Sequence, residues 1–230
     1  MSSDPRIEVV NRFFSGTGST YDRIVNLWTV GFDLLWKKRI LGRIPERPAR
    51  ILDQACGTGI LTFKIAQKFP LCHVIGVELR DEYLIIAKKK AEALKIANVE
   101  FILGRAEDVL LKDRFDCVTS SYLAKYAELD PLIRNAKKML RDGGLLAMHD
   151  FTYPRSQVFA WIWEHYFKLM QTAGSWKYPQ WRTVFYELPE FLRKTEWVTD
   201  LVRVLREHAF QDITIESLTF GTSAIVTANR

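Results

Sequence analysis

The stretch from residue 51 to residue 60, Ile-Leu-Asp-Gln-Ala-Cys-Gly-Thr-Gly-Ile, most constrains what this chain can fold into. It starts with an apolar run, places small residues at every second position, and leads into residues 61–69, whose apolar side chains recur at helical spacing. Small residues let the backbone approach a ligand closely, and the first turn of the following helix offers free N–H groups to it. The pattern predicts a nucleotide-type pocket at the carboxyl end of a first strand.

The spacing of the small residues distinguishes two kinds of nucleotide-binding loop. A dinucleotide-binding loop has the spacing G-x-G-x-x-G, whereas Asp53, Ala55, Gly57 and Gly59 stand at every second position. This spacing resembles the loop of class I S-adenosylmethionine methyltransferases, which faces the amino acid and the ribose of the ligand. The resemblance implies S-adenosylmethionine as the cofactor.

An acid at the end of the next apolar run supports this interpretation. Residues 73–78 end in Glu78, at about the distance from Asp53 expected for the acid that follows the second strand. Such a carboxylate accepts hydrogen bonds from ribose hydroxyls. Taken alone, Glu78 would be an ordinary charge at a strand end.

Length and composition predict one α/β domain with additions. The chain has 230 residues with 48% hydrophobic content, enough for one sizeable core and too little for two. No apolar run approaches the roughly 20 residues of a membrane-spanning helix, and no apolar signal-peptide region follows residues 1–6. We therefore expect a soluble, cytoplasmic protein. Cys56, Cys72 and Cys117 lack metal-ligand spacing, so we expect reduced thiols and no metal site.

The net charge of +6 is moderately basic, but the basic residues are scattered. Local groups occur at 37–39 and 88–90 without a long run, which favours solvated helix faces over a nucleic-acid surface. A nucleic-acid methyltransferase would also carry an Asn-Pro-Pro-Tyr type motif after strand four, where residues 119–122 read Thr-Ser-Ser-Tyr. We expect no nucleic-acid partner.

Alternating strands and helices predict a Rossmann-like, doubly wound sheet of seven strands with a C-terminal antiparallel hairpin. The predicted strands are 50–54, 73–78, 99–103, 115–121, 144–151 after a turn at 142–144, 212–218 and 223–228, and the helices between and after them are 59–69, 81–95, 128–141 and 197–208. The N-terminal region predicts a helix at 7–14, a flexible link at 15–20 and a helical region at 23–44. The single domain divides into an N-terminal helical cap at 1–48, a cofactor-binding core at 49–151, a helical insertion at 152–195 and a C-terminal helix with edge strands at 196–230.

Two segments are open to two interpretations each. The helical region at 23–44 either caps the mouth of the pocket or packs on the sheet. The insertion at 152–195 carries aromatic residues on more than one helix face, which is more apolar surface than an exposed helix should carry. It is expected to be buried against the core, to close over an apolar ligand, or both.

Nearly the whole chain resembles the ubiquinone/menaquinone biosynthesis C-methyltransferases. The segments that carry the resemblance are Tyr21-Asp22 with Asn26, Gly31 and Trp36-Lys37-Lys38, then Ile51 to Gly59, Phe115 to Tyr122, Met139 to Leu146, Asp150 to Pro154, and Leu218 to Gly221. Position by position, the family's ligand contacts fall on Thr58, Glu78, Arg105, Ala106 and Ser121. The full expected cofactor-binding set is Tyr21, Lys37, Asp53, Ala55, Gly57, Thr58, Gly59, Glu78, Leu79, Arg105, Ala106, Glu107, Ser120 and Ser121.

The chain departs from the family pattern at two places. Arg105 stands where the family has Asp or Asn, a side chain suited to the amino group of adenine. The family's Phe-Gly-Leu-Arg-Asn-Val after strand four is here Tyr-Leu-Ala-Lys-Tyr-Ala at 122–127. The second departure lies on the substrate side of the pocket.

Carbon methylation of a phenolic ring needs a base or a hydrogen-bonding group near the pocket mouth. The candidates are Asp150 and His149 at the end of strand five, with Tyr122, Lys125, Tyr126 and Tyr153 next to them in the expected loops. Each has a structural alternative: the histidine can satisfy a backbone carbonyl, the aspartate can cap a turn, and the tyrosines can pack with one polar end.

The resemblance implies methylation of a polyprenyl benzoquinol or naphthoquinol, a lipid-tailed aromatic substrate. O- or N-methylation of another small molecule or of a phospholipid head group, and a non-catalytic ligand-binding protein on the same fold, are the alternatives. Peripheral contact with a membrane fits the basic charge and the aromatic insertion. The expected assemblies include a homodimer.

Overall fold

Seven strands form one mixed sheet in the computed structural model, which describes residues 4–230. In chain order the strands are β1 Arg50–Gln54, β2 His73–Glu78, β3 Val99–Leu103, β4 Phe115–Ser121, β5 Leu140–Phe151, β6 Gln211–Leu218 and β7 Ser223–Asn229. Their order across the sheet is β3-β2-β1-β4-β5-β7-β6. The first five pair in parallel, and β7 pairs antiparallel with both β5 and β6. The predicted fold class, including the C-terminal antiparallel hairpin, is confirmed.

Helices cover both faces of the sheet, which explains why the central strands are apolar along their length. In chain order the helices are α1 Pro5–Phe14, α2 Tyr21–Trp28, α3 Phe32–Arg43, α4 Ile60–Lys68, α5 Asp81–Ala93, α6 Leu129–Met139, α7 Gln157–Leu169, α8 Ser175–Lys177, α9 Arg182–Lys194 and α10 Trp197–Glu207. Helices α6 and α10 pack on one face of the sheet, and α3 and α4 pack on the other. No helix between residues 4 and 230 is both long and apolar enough to cross a bilayer.

The N-terminal region differs from its prediction in two ways. The helical region at 23–44 is two helices, because Val30 and Gly31 have left-handed φ angles of 51° and 79° that end α2 before α3 begins. The link at 15–20 is fixed on α5 instead of being flexible. Glu82 accepts hydrogen bonds from the backbone N–H groups of Gly16 and Gly18 at 3.0 and 2.8 Å. Residues 1–3 of the predicted cap lie outside the described residues.

Strand β5 also starts earlier than predicted. Its pairing with β4 shifts register between Phe115, which lies opposite Leu140, and Cys117, which lies opposite Leu145. The predicted turn at 142–144 is therefore an irregularity inside a longer strand. Gly143 adopts a φ of 72° there, which only glycine adopts without strain.

The insertion after β5 packs on the N-terminal cap. Trp163, Trp181, Phe185 and Leu188 of the insertion share one buried cluster with Phe13 and Ile24 of the cap. Other apolar side chains of α7 are not covered, since Trp161 and Ile162 are 61% and 50% exposed. Burial against the rest of the protein therefore accounts for only part of the aromatic content.

A substitution at Gly59 tests the tight approach of the first loop to α4. Gly59 has a φ of 87°, and a Cβ there would lie 2.4 Å from a ring carbon of Phe63. Left-handed strain costs about 1–2 kcal/mol and overpacking about 1–3 kcal/mol more. We expect Gly59→Ala to lower the free energy of unfolding by about 3 kcal/mol in urea titrations.

Gly143→Ala is the matched control, because its φ is also positive but a Cβ would meet no atom within 4 Å. It is expected to cost only the left-handed strain of about 1–2 kcal/mol. Equal losses in the two variants would show that the contact with Phe63 does not matter.

Candidate active site

The loop between β1 and α4, residues 55–59, holds three left-handed residues. Ala55, Gly57 and Gly59 have φ angles of 55°, 60° and 87°. The carboxylate of Glu78, at the end of β2, accepts hydrogen bonds from the N–H groups of Gly57 at 2.9 Å and Arg80 at 2.8 Å. One buried side chain thus fixes the loops that follow the first two strands.

Two cavities meet at Ala55 on this edge of the sheet. The Gly-loop cavity has a volume of about 310 Å³ and is lined by Tyr21, Lys37, Asp53, Ala55, Cys56, Gly57, Ile60, Leu61, Ser121 and Tyr122. The α1 cavity has a volume of about 400 Å³ and is lined by Arg6, Ile7, Val10, Ala55, Val77, Leu79, Gly104, Arg105, Ala106, Glu107, Leu123 and Tyr126. Helix α1 therefore forms a wall of the second cavity, as a cap would.

Two further cavities lead from these to the surface. The aromatic cavity, about 410 Å³, is lined by Phe14, Tyr21, Val25, Trp28, Thr29, Tyr122, Lys125, Tyr126, Phe151, Trp181, Val184 and Leu188. It shares Tyr21 and Tyr122 with the Gly-loop cavity. The outer groove, about 930 Å³, shares Trp28 and Phe151 with it and opens between α3, α7 and the turn at 219–222. The four cavities adjoin one another from the loop to the surface.

The structure brings most of the predicted residues to these cavities. Those that line the Gly-loop or α1 cavity are Tyr21, Lys37, Asp53, Ala55, Gly57, Leu79, Arg105, Ala106, Glu107, Ser121 and Tyr122. Lys125 lines the aromatic cavity, and Tyr126 lines both the aromatic and the α1 cavity. The predicted residues that do not line any of the four cavities are Thr58, Gly59, Glu78, Ser120, His149, Asp150 and Tyr153.

Asp53 is a buried carboxylate in the wall of the Gly-loop cavity. It is 1% exposed and accepts a hydrogen bond from the hydroxyl of Thr62 at 2.6 Å. Loss of hydration on burial raises the pKa of Asp53 to about 7, against the opposing effects of Thr62 and Lys37. The ammonium of Lys37 lines the same cavity. The cavity is therefore lined by one acidic and one basic side chain.

Arg105, the first departure from the family pattern, contacts acids on its own loop and on α1. Its guanidinium lies 2.6 Å from Asp4 and 3.2 Å from Glu107. Asp4 also caps α1, because it accepts a hydrogen bond from the backbone N–H of Arg6 at 2.9 Å. The side chain of Arg105 thus holds the start of α1 over the α1 cavity.

His149 lies in a buried chain of hydrogen bonds that determines its tautomer. The hydroxyl of Ser223 donates to the carbonyl of Asp150 at 3.0 Å, so it accepts from Nε2–H of His149 at 2.7 Å. Lys37 donates to Ser121 at 3.0 Å, and Ser121 can then donate to Nδ1 of His149 at 2.8 Å. Burial lowers the pKa of His149 well below its usual range. A neutral histidine with both nitrogens occupied is a structural element of the site.

Lys125 and Asp150 form a buried ion pair at the aromatic cavity. Their side chains are 2% and 0% exposed, and Asp150 also accepts a hydrogen bond from the backbone N–H of Phe151 at 2.7 Å. Burial lowers the pKa of Lys125, although the neighbouring carboxylate opposes this shift. Asp150 therefore orients Lys125. Tyr126 stacks on Phe191 at 5.3 Å between ring centroids.

Asp33 is a site residue that the sequence analysis did not identify. It is 2% exposed, and its Oδ1 accepts from Nζ of Lys37 at 2.5 Å and from the hydroxyl of Tyr122 at 2.6 Å. The available signal was an acid four residues before Lys37 on a helix of apolar residues, the spacing of a paired acid and base.

Comparisons with known proteins agree with this geometry. The sequence model of the ubiE/COQ5 methyltransferase family matches residues 2–230. The chain belongs to this family. A demethylmenaquinone methyltransferase from Thermus thermophilus is 28% identical over 94% of this chain and 99% of its own length. A mitochondrial 2-methoxy-6-polyprenyl-1,4-benzoquinol methylase from Caenorhabditis elegans is 26% identical over 94% of this chain and 78% of its own length.

A protein of solved structure from Methanococcus maripaludis shares the fold of this ubiE/COQ5 family member. It aligns with a TM-score of 0.68 at 13% identity, covering 93% of this chain and 91% of that one. The prediction of an S-adenosylmethionine-dependent methyltransferase is confirmed by the family.

The residues present fit S-adenosylmethionine. Asp53 and Lys37 suit the ammonium and the carboxylate of its amino-acid end, and they line one cavity. The adjoining α1 cavity has the apolar walls Ile7, Val77 and Leu79, which suit a flat heterocycle such as adenine.

The raised pKa of Asp53 predicts a stability that depends on pH. Because the pKa of the folded state, about 7, exceeds the ordinary value of 3.8, the folded protein holds a proton between these values that the unfolded chain releases. The free energy of unfolding therefore falls as pH rises from about 4 to about 7. Asp53→Asn removes this loss, so the ligand-free variant is expected to be more stable than the wild type at pH 8 by on the order of 2 kcal/mol.

Urea titrations at pH 4.5 and pH 8 measure the effect, and the gain is expected to shrink at the lower pH. Asp142→Asn serves as the control, because that carboxylate is 96% exposed. An Asp53→Asn variant that is no more stable than the wild type at pH 8 would contradict the raised pKa.

Proposed function

We propose that this methyltransferase transfers a methyl group to a ring carbon of a benzoquinol or naphthoquinol with a polyprenyl tail. The observation that carries the proposal is the aromatic cavity, which adjoins the Gly-loop cavity on one side and an apolar groove of about 930 Å³ on the other. The aromatic walls of this cavity suit a flat ring, and the apolar lining of the groove suits an extended hydrocarbon. The names of the two relatives, a benzoquinol methylase and a demethylmenaquinone methyltransferase, support the same acceptor.

In this proposal the predicted cofactor-binding residues act in three groups. Asp53 and Lys37 hold the amino-acid end of S-adenosylmethionine, with Ser121 supporting Lys37 through their 3.0 Å hydrogen bond. Glu78, whose carboxylate lies beside Gly57, accepts hydrogen bonds from the ribose hydroxyls.

The third group encloses the adenine in the α1 cavity. Leu79 and Ala106 line this cavity, and the backbone of Arg105 remains available while its side chain holds Asp4. In the family pattern this position is Asp or Asn. Arg105 therefore lacks the contact that an Asp or Asn side chain would make with adenine. Instead it binds Asp4, which holds α1 over the adenine.

The bound cofactor supplies an electrophilic methyl group on a sulfonium. The protein positions the acceptor ring in line with it and excludes water, which the aromatic walls of the cavity favour. The ammonium of Lys125, held by Asp150, lies in the wall of that cavity and stabilises negative charge on a ring oxygen. Loss of the proton from the ring hydroxyl makes the ring carbon a far stronger nucleophile. In this proposal the hydroxyl passes its proton to the oxygen of Tyr122 while the Tyr122 proton moves to Asp33, 2.6 Å away. The carbon–carbon bond forms as the carbon–sulfur bond breaks, and the methylated ring carbon then loses its hydrogen as a proton to restore the aromatic ring.

The position of the outer groove supports a proposal of contact with a membrane. Val30, Ile162 and Phe220 line the groove and are 70%, 50% and 66% exposed. Exposed apolar residues around the mouth of an apolar groove suit an enzyme that rests on a bilayer to collect a lipid-tailed substrate. We propose peripheral membrane contact through this face.

The cofactor proposal is tested by calorimetric titration of S-adenosylmethionine into the wild type and Glu78→Ala. Removing the carboxylate deletes the ribose contact and releases the Gly57 loop, so we expect at least tenfold weaker binding. Glu92→Ala removes an exposed acid from the nearby helix α5 and is expected to bind as the wild type does. Equal affinities in all three proteins would overturn the role of Glu78.

The acceptor proposal is tested by methyl transfer to dithionite-reduced naphthoquinols with no tail and with one or two isoprene units. Each buried CH₂ contributes about 0.8 kcal/mol, so one isoprene unit is expected to lower KM by at least about tenfold. Ile162→Lys places a charge in the outer groove and is expected to raise KM for the prenylated acceptors only. Ile215→Lys, at a 56% exposed site on β6, is the matched control.

Mass spectrometry and NMR of the product identify the methylated atom. A KM that does not depend on the tail, in the wild type and in Ile162→Lys, would contradict the role of the groove. Methylation at oxygen or nitrogen would favour the alternative acceptor classes.

A further inference from the structure

Tyr122 lies between the Gly-loop cavity, where we propose that the methyl donor binds, and the aromatic cavity, where we propose that the acceptor ring binds. Its side chain lines both the Gly-loop cavity and the aromatic cavity, and its ring stacks on Phe151 at 4.6 Å between centroids. The resemblance described above places phenylalanine at this position in the family. The hydroxyl group of Tyr122 is therefore an addition in this chain.

Asp33 fixes the direction of that hydroxyl. A carboxylate can only accept hydrogen bonds, so the 2.6 Å contact requires the Tyr122 hydrogen to point at Asp33. Lys37 donates to the same oxygen at 2.5 Å, which pairs the buried charge of Asp33. The oxygen of Tyr122 consequently has only lone pairs to offer to a third group.

Asp33 does not itself line the aromatic cavity, but two residues that it contacts, Tyr122 and Thr29, do. The backbone N–H of Asp33 donates to the hydroxyl of Thr29 at 3.1 Å, and Thr29 lines this cavity together with Tyr122. Lys125 lies on the same wall, with its ammonium 5.5 Å from the centroid of the Tyr122 ring. The wall thus combines a hydrogen-bond acceptor, Tyr122, with a donor, Lys125.

Only one kind of ring oxygen satisfies both groups. A ring hydroxyl donates to Tyr122 and accepts from Lys125, whereas a carbonyl or ether oxygen accepts from Lys125 and leaves the oxygen of Tyr122 facing another acceptor. We propose that Tyr122, oriented by Asp33, selects acceptors that carry a free ring hydroxyl and rejects the oxidised and O-methylated forms at that position. The inference rests on the proposed function only in placing the acceptor ring in the aromatic cavity.

This selection would match the chemistry. Of the two redox forms of a quinone, the reduced form has the electron-rich ring that attacks a methyl group. A wall that binds the hydroxyl form keeps the unreactive carbonyl form from occupying the site.

The test compares 1-naphthol with 1-methoxynaphthalene as ligands in the presence of S-adenosylhomocysteine, so that no turnover occurs. Calorimetry or quenching of tryptophan fluorescence gives the two dissociation constants. An unpaired buried acceptor group costs enough that the wild type is expected to prefer the naphthol by about 10- to 100-fold. Tyr122→Phe, which restores the family residue, is expected to bind the two ligands within about twofold of each other.

Tyr186→Phe is the matched control, because it removes a hydroxyl from a 48% exposed side chain that lines none of the four cavities. It is expected to keep the preference of the wild type. Asp33→Asn tests the positioning role of Asp33, since an amide can donate to the Tyr122 oxygen and let the tyrosine hydrogen turn to the ligand. The preference is then expected to fall, and Tyr122→Phe added to Asp33→Asn is expected to change it no further.

Equal binding of the two ligands by the wild type, or a preference that survives Tyr122→Phe, would overturn the inference. Failure of both naphthalenes to bind would overturn it as well. If the preference is present and depends on Tyr122 while reduced naphthoquinols are not methylated, the selection stands and the proposed acceptor is wrong. Should Asp33→Asn not fold by circular dichroism, the Tyr122→Phe comparison decides alone.

Discussion

The two backbone hydrogen bonds of Glu78 are the interaction on which the site depends. Its carboxylate holds the N–H groups of Gly57 and Arg80, so the loops after β1 and β2 cannot move independently. Burial raises the pKa of Glu78, and these two donors oppose the shift. A buried carboxylate is tolerated because backbone donors replace its hydration. The same contacts fix the Gly57 loop in the wall of the cavity that Asp53 and Lys37 also line.

The N-terminal cap completes the site through polar contacts with the core. Asp22 links the loop residue Thr58 to Lys90 on α5, Glu82 binds the link at 15–20, and Arg105 binds Asp4. The cap therefore covers the α1 and Gly-loop cavities, to whose walls Arg6, Tyr21 and Lys37 contribute. In the function that we propose, the apolar cavities on the other side are left for the acceptor, so that a charged nucleotide and a lipid-tailed ring would enter separately.

Local patterns in the sequence were sufficient to predict the sheet and the Gly loop. They could not predict features that depend on contacts between residues far apart in the chain. Apolar runs that end in Asp53 and Glu78 predicted β1 and β2, because a strand buried on both faces needs little else. The anchoring of residues 15–20 depends on Glu82, far along the chain, and no local pattern encodes it. Likewise, the outer groove forms only when α3, α7 and the turn at 219–222 come together. Asp33 is buried beside Tyr122 only in the folded chain, because the two residues are 89 positions apart in the sequence.

The two buried ion pairs explain how an apolar pocket can still stabilise charge. Lys37 pairs with Asp33 and Lys125 with Asp150, all with side chains no more than 3% exposed. Such pairs contribute little to folding, because desolvation offsets their attraction. Each nevertheless holds an ammonium at a cavity wall in a fixed orientation, where the low dielectric strengthens its effect on a ring oxygen or a carboxylate. We therefore attribute both pairs to the reaction rather than to stability, with Tyr122 between them as the group that both ammonium ions approach.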